Sequence, residues 1–177
     1  MQLWIAEKPS VAKAICAELG IVKKGAGFNE CKGGNTVTWC FGHLLEQAAP
    51  DAYTPEDVPL TKKGGKIWRM QDLPIFPSVW KLNVKPDKGV KAQLRTIKLL
   101  LGKADSIVNC GDPDREGQLL VDEILEFYKC RKPVSRFWVS AQDPASIKKG
   151  LQSLKPNSQF QGMKLAALGR SRADWLL

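Results

Sequence analysis

Three acidic residues, Asp112, Asp114 and Glu116, fall within five positions of the segment Ser106-Ile-Val-Asn-Cys-Gly-Asp112-Pro-Asp114-Arg115-Glu116-Gly117-Gln118. An apolar run ends at Gly111, the acids follow, and helical periodicity then begins. In an open parallel sheet, ligands bind beyond the carboxyl ends of the strands. Asp112 and Asp114 are two apart, so extended backbone would send both carboxylates the same way. Glu116, in the first helical turn, approaches the same place. Carboxylates crowded at one strand end repel each other unless a cation neutralises them, and a hard divalent cation such as Mg²⁺ prefers their oxygens. A single acid there would be accounted for by the helix dipole; three after a glycine, with Arg115 among them, exceed that need. Pro113 stiffens the turn, and Gly111 and Gly117 let backbone come close.

A second segment, Ile5-Ala6-Glu7-Lys8-Pro9-Ser10, also ends an apolar run in an acid before a helix. Alone it reads as a helix start with a solvated lysine. If both strands lie in one parallel sheet, Glu7 meets the Asp112 group at the same edge. Lys8 would then stand where it could stabilise charge developing on a phosphate oxygen.

Those residues need a sheet to hold them. Gln2 to Ala6 reads as a short buried strand. Pro9 suits the first helical position, and Val11 to Leu19 has helical spacing up to Gly20. Thr36 to Phe41 is a β-branched and aromatic strand candidate. Residues 48 to 77 carry many Pro, Gly and charged residues without a clean period, which indicates a surface excursion. Beyond it come a strand at Trp80–Val84, a helix at Val90–Leu101 stopping at Gly102, and a buried strand at Asp105–Cys110. A helix at Arg115–Tyr128, a strand at Val134–Val139 and a helix at Asp143–Leu154 follow. Strands alternating with helices predict an α/β fold: a mostly parallel, doubly wound sheet flanked by helices. A polar break at 155–158 precedes one more helix from about Gln159. That helix runs to the last residues without a cap or stop, as expected of a fragment of a longer chain.

The 177 residues suit one α/β domain plus a short extra piece, and 44% hydrophobic with 25% charged residues is ordinary for a chain that buries a core. No run of about 18 apolar residues is present, which excludes a transmembrane helix, and the start does not read as a secretory signal. A net charge of +9 favours polyanions, nucleic acid above all. The basic residues are spread out, with a small cluster at Thr61-Lys62-Lys63-Gly64-Gly65-Lys66, so a folded basic surface is expected rather than a basic tail. The cysteines, at 16, 31, 40, 110 and 130, are irregularly spaced. Cys40 and His43 lack the second pair a zinc site requires, so the expectation is reduced, mostly buried thiols. His43 is expected to make a loop hydrogen bond. The tryptophans are core by default, although Trp68 lies in a polar stretch and could stack on a base.

IAEKPS followed by DPDREGQ about a hundred residues later resembles the Toprim domain, which type IA and type II topoisomerases, bacterial primases and some nucleases share. Four further stretches resemble those of type IA DNA topoisomerases in order and spacing, and within them the topoisomerase III group. They are Gly42-His43-Leu44-Leu45-Glu46, the run from Trp68 through Asp72-Leu73-Pro74-Ile75-Phe76-Pro77, Arg136-Phe137-Trp138-Val139-Ser140-Ala141, and Ala167 to Leu176. The resemblance implies a Toprim domain over 1–154 and the start of a helical DNA-binding domain over 155–177. It implies an enzyme that cuts one DNA strand through a 5′-phosphotyrosyl link, passes another through the gap and reseals it, using Mg²⁺ and no ATP. Carried over residue by residue, Glu7 is the acid/base, Lys8 stabilises the transition state, and Asp112, Asp114 and Glu116 hold the metal, with Glu7 a further possible ligand. Arg115, Arg170, Arg172 and Asp174 contact DNA, while Gln118 and Arg136 either hold the acids or face DNA. The implied partners are DNA, especially single-stranded, and the remaining domains of the same enzyme, in a cytoplasmic, nucleoid-associated bacterial setting. Neither Tyr53 nor Tyr128 lies in the family's nucleophile context, so the isolated chain is expected not to relax supercoils. Two other readings stand beside this one: another Toprim enzyme (a primase or nuclease), which would lack the GHLLE, DLPIFP and RADWLL segments, and a non-catalytic nucleic-acid-binding module.

Overall fold

A computed structural model describes all residues, 1–177. Strand β1 (Gln2–Ala6) is central, with β4 (Asn35–Trp39) parallel on one side and β7 (Ser106–Cys110) parallel on the other. Strand β8 (Val134–Arg136) adds parallel to β7. Three antiparallel strands complete the seven-stranded sheet in the order β2-β3-β4-β1-β7-β8-β9: the hairpin β2 (Ile21–Gly25) and β3 (Phe28–Cys31), and β9 (Lys155–Pro156).

The central strands are apolar on both faces because both are covered. Alternate residues divide between two cores. Leu3, Ile5 and Ile107 join Leu94, Ile97, Leu101, Leu120 and Ile124 from α2 (Lys88–Lys103) and α3 (Arg115–Phe127). Trp4, Ala6, Val108 and Cys110 join Val11, Ile15 and Ile147 from α1 (Pro9–Leu19) and α4 (Pro144–Gln152). The expected doubly wound arrangement is therefore what the chain adopts. From β1 the chain leaves through α1 toward β4; from β7 it leaves through α3 toward β8, in the opposite direction. The crevice where the two paths diverge lies beyond the carboxyl ends of β1 and β7, where such folds bind ligands.

Several boundaries differ from expectation. Helix α2 continues through Gly102 to Lys103, and it begins at Lys88, where the Asp87 carboxylate accepts the Val90 amide at 2.9 Å. Strand β8 ends at Arg136, three residues early. Residues 157–160 form a 3₁₀ turn, so the last helix, α5, spans Gln161–Leu176. The excursion leaves and re-enters through a two-stranded antiparallel neck of β5 (Leu45–Gln47) and β6 (Leu82–Val84). The neck is closed by Ala48 donating to the Lys81 carbonyl at 2.9 Å. Helix α5 packs along α3, its buried Lys164 paired with Glu126. Near its end, Trp175 meets Tyr53 and Trp80 edge-on, at 5.5 and 5.2 Å, and donates to the Ala48 carbonyl at 2.9 Å. No helix is long and apolar enough to cross a membrane.

Candidate active site

Register places Ala6 opposite Cys110, so Glu7 and Gly111 leave the sheet side by side. Glu7 Oε2 accepts the Asp112 amide at 2.8 Å, and the Lys8 ammonium lies 2.6 Å from Asp112 Oδ2. The two sequence segments thus meet. The hydrogen bond from Lys8 to Asp112, helped by the nearby charges of Asp112, Glu7 and Asp114, holds the Lys8 pKa above its ordinary value against the opposing effect of burial.

The approach depends on two glycines with no space for a side chain. A Cβ on Gly111 would stand 1.9 Å from the Gly117 carbonyl oxygen. One on Gly117 would stand 2.5 Å from the Asp112 backbone and 2.8 Å from Glu7 Oε2. Atoms cannot share that distance, so the acid loop closes onto α3 only with glycine at both positions.

Backbone between the two aspartates is not extended. The Asp114 amide donates to the Asp112 carbonyl at 2.8 Å, a three-residue turn around Pro113, whose ring presets the required φ. The carboxylates consequently part. Asp112 turns to Lys8, while Asp114 caps α3 by accepting the Gly117 amide at 2.8 Å. Glu116 lies 3.8 Å from both Arg115 Nε and an Arg170 guanidinium nitrogen. As the side chains stand, no three acidic, histidine or cysteine residues are gathered closely enough to hold a metal ion. The donor set nonetheless has the chemistry of a hard-cation site. Glu7, Asp112 and Asp114 each spend one carboxylate oxygen on a protein partner and keep the other without a hydrogen bond in the protein. Lys8 supplies the neutralising charge at Asp112.

Arg136 lies under this loop, fully buried, and its part is now plain: it holds the loop and does not face outward. Its guanidinium donates to the carbonyls of Asn109 (3.1 Å), Gly111 (2.8 Å), Asp112 (2.6 Å) and Phe137 (2.8 Å), and to Gln118 Oε1 (2.7 Å). Burial pushes its pKa down, while the charges of Cys110, Asp122, Asp114 and Glu7 act the other way. Trp138 covers the guanidinium at 4.9 Å and itself stacks on Phe160. Gln118 and Asn157 both bond Asp122, and Asn109 bonds Asp122 at 3.1 Å and the Gly111 amide at 3.0 Å. Asn109, Asp122 and Asn157 were not singled out in the sequence. The available signal was Gln118 and Asp122 one helical turn apart on an otherwise apolar face.

Of the expected DNA contacts, Arg115 is exposed beside Glu116. Arg170, paired with Asp174 at 3.7 Å, lines an open recess with Glu116 and Ser171. Arg172 instead lies 5.1 Å over the Trp80 ring, with its Nε buried and unpartnered. It borders a cavity of about 530 Å³ with His43, Glu123, Gln47 and Glu116. His43 Nδ1 is 2.7 Å from Glu123 Oε1, the expected loop contact. Its pKa is raised by that hydrogen bond, while burial pushes the Glu123 carboxyl up against the opposing effect of His43. All five cysteines are free thiols, four of them buried. The tryptophans depart from the core expectation: only Trp4 is buried, and Trp68 is largely exposed.

Comparisons with known proteins identify the family of this chain. A family model described as the Toprim domain matches residues 2–142. The chain is 45% identical over 99% of its length to a DNA topoisomerase 3 of Haemophilus influenzae, and 44% identical over 99% to one of Salmonella typhimurium, covering 26% of each. A Staphylococcus aureus DNA topoisomerase 3 is 37% identical over 99% of the chain. The chain thus spans about a quarter of the length of the curated relatives it matches. Among solved structures, full-length topoisomerase I from Thermotoga maritima shares the fold, with a TM-score of 0.59 at 20% identity over 98% of this chain and 24% of that one. With the family's model running from the first strand through the acid loop and past Arg136, the chain belongs to the Toprim domain family.

Proposed function

We propose that these residues are the acid/base and metal-binding part of a type IA DNA topoisomerase of the topoisomerase III group. The observation that carries the reading is the meeting of Glu7, Lys8 and Asp112 at the switch point of the sheet. The likeness to proteins named DNA topoisomerase 3 supports it over a primase, a nuclease or an inert binding module. Residues 1–154 form the Toprim domain, to whose sheet β9 at 155–156 adds an edge strand, and the helix beyond it opens a helical DNA-binding domain. The setting is the cytoplasm of a bacterium, on the nucleoid.

In this mechanism a tyrosine from a further domain attacks a backbone phosphorus. Its oxygen gives up its proton to solvent and bonds to phosphorus, the bond to the 3′ oxygen breaks, and that oxygen takes a proton. Glu7 supplies the proton and recovers it on resealing, when the 3′ hydroxyl attacks and the tyrosine leaves, regaining its proton from solvent. The Asp112 amide fixes one oxygen of Glu7 and leaves the other for this transfer. Lys8 stabilises charge on the pentavalent phosphate. Asp112 and Asp114, with Glu116, would hold Mg²⁺, which when bound supplies further neutralisation of phosphate charge. Arg170, Arg115 and Arg172 with Asp174 border the path of a single strand. Both tyrosines of the chain are engaged within the fold. The Tyr53 hydroxyl accepts the Lys81 amide at 2.7 Å, and the Tyr128 hydroxyl donates to the Leu94 carbonyl at 3.2 Å.

The test is relaxation of supercoiled DNA by a chain that carries the tyrosine-bearing remainder. Asp112→Asn with Asp114→Asn abolishes Mg²⁺-dependent relaxation and leaves DNA binding in place. Retained relaxation would contradict the reading, as would relaxation by the 177-residue chain alone.

A further inference from the structure

The excursion presents an apolar and basic surface that the mechanism does not use. Trp68 is 69% exposed and Phe76 71%, with Met70 and Val79 also open to solvent on the same arm. Four large apolar side chains exposed between positions 68 and 79 exceed the scattered singles usual on a surface. The arm is braced from beneath. Asp51 accepts the Lys66 amide at 2.7 Å, the Lys66 ammonium donates to the Thr54 and Pro55 carbonyls, and Arg69 forms a two-point contact with Asp72 at 2.6 and 2.9 Å. Ile67 donates to the Pro59 carbonyl, and a turn links Thr61 to Gly65. The exposed rings are therefore held out by a backbone that is tied down.

The charge around them selects the occupant. Residues 48–81 hold five Lys or Arg (Lys62, Lys63, Lys66, Arg69, Lys81) against four acids (Asp51, Glu56, Asp57, Asp72); Arg69 engages Asp57 and Asp72, and Asp51 accepts the Lys66 amide. Lys62 and Lys63 are exposed and make no ion pair. Lysine is depleted from the cores of protein interfaces, whereas exposed aromatics among unpaired lysines suit a single nucleic-acid strand, whose unpaired bases stack and whose phosphates need cations. We propose that the arm is a second DNA contact, in which bases of a single strand stack on Trp68 and Phe76 while Lys62 and Lys63 meet its phosphates. The inference rests on the DNA reading above and adds a contact made by residues other than the acids and the arginines of α5.

Binding of a fluorescent oligothymidylate to the chain, followed by anisotropy, tests it. Base stacking on an aromatic ring carries enough free energy that Trp68→Ala with Phe76→Ala weakens binding roughly a hundredfold. Trp68→Phe stays within a few-fold of the parent, and thermal unfolding is unchanged because both rings are exposed. Lys62→Gln with Lys63→Gln lowers the slope of log affinity against log salt by about 0.7 for each lysine that meets a phosphate. Equal affinity of the parent and the double-alanine variant would overturn the arm as a DNA contact, leave the DNA reading standing, and make the apolar surface a protein-docking face. No binding by the parent would overturn both. Photocross-linking with iododeoxyuridine gives a second measure: adducts at Trp68 or Phe76 are expected, and adducts confined to α5 would overturn the proposal.

Discussion

Glu7 Oε2 accepts the amide hydrogen of Asp112 at 2.8 Å, joining residues 105 positions apart. The bond exists because β1 and β7 are neighbours in parallel register, ending at Ala6 and Cys110. It anchors the proposed acid/base to the backbone of the loop that carries the carboxylates proposed to hold the metal. Because Lys8 follows Glu7 directly, the same junction brings its ammonium to Asp112. Acid, cation and carboxylate are positioned by one strand pairing.

Gly117→Ala forces a methyl group to within 2.5 Å of the Asp112 backbone and 2.8 Å of Glu7 Oε2. The loop must move, at a cost of about 1–3 kcal/mol. Urea unfolding measures the loss, and the Glu7–Asp112 contact is expected to open. An unchanged midpoint would show that the loop yields without strain.

Arg136→Met removes five hydrogen bonds and leaves the Gly111 and Phe137 carbonyls and Gln118 Oε1 without a donor beneath the acid loop, while the Asn109 and Asp112 carbonyls keep the Phe137 and Asp114 amides. Each orphaned buried group costs about 1–3 kcal/mol, so the variant unfolds well below the parent or does not fold. Arg136→Lys keeps the charge but not the planar fork. It recovers only part of the stability, as a thermal melt would report.

His43 is the chain's only histidine, so one imidazole signal reports its titration by NMR. Its pKa is raised in the folded state, chiefly by the hydrogen bond to Glu123. The pair's contribution to stability is therefore fully present below the unfolded value of about 6.5 and is lost as pH rises through the higher folded value. Glu123→Gln moves the His43 midpoint down. A midpoint that stays put would mean that Glu123 does not set it.

Trp175→Ala removes the edge-on contacts with Tyr53 and Trp80 and the hydrogen bond to Ala48. The end of α5 and the neck of the excursion should loosen together, with a loss of about 2 kcal/mol for a half-buried indole. Hydrogen exchange should quicken in both 161–177 and 48–53. Faster exchange in α5 alone would show that the excursion is held independently.

The central strands and α1 and α3 were readable because burial on both faces leaves near-continuous apolar runs, punctuated by Pro9, Gly20 and Gly111. The meeting of Glu7 with the Asp112 group followed from parallel pairing. Hairpin β2–β3 was not readable: Val22, Lys23 and Lys24 lie on an exposed edge strand and show no alternation. Strands β5, with three residues, and β9, with two, are too short to leave a pattern. Gly102 did not stop α2, because Leu100 and Leu101 pack into the core and carry the helix past it. At the site, spacing suggested that Asp112 and Asp114 point together, whereas the turn around Pro113 parts them. The bracket of Arg136, Gln118, Asp122, Asn109 and Asn157 draws on separate elements, so no local spacing encodes it. The sequence left Arg136 open between holding the acids and facing DNA, and its burial decides for the first.

The most direct test of the central claim is a calorimetric Mg²⁺ titration of the chain beside its Asp112→Asn/Asp114→Asn variant. Mg²⁺ is expected to bind the parent, and the heat to disappear in the variant. Equal heats from both proteins would contradict it, because the cation would then be held somewhere other than the acid loop.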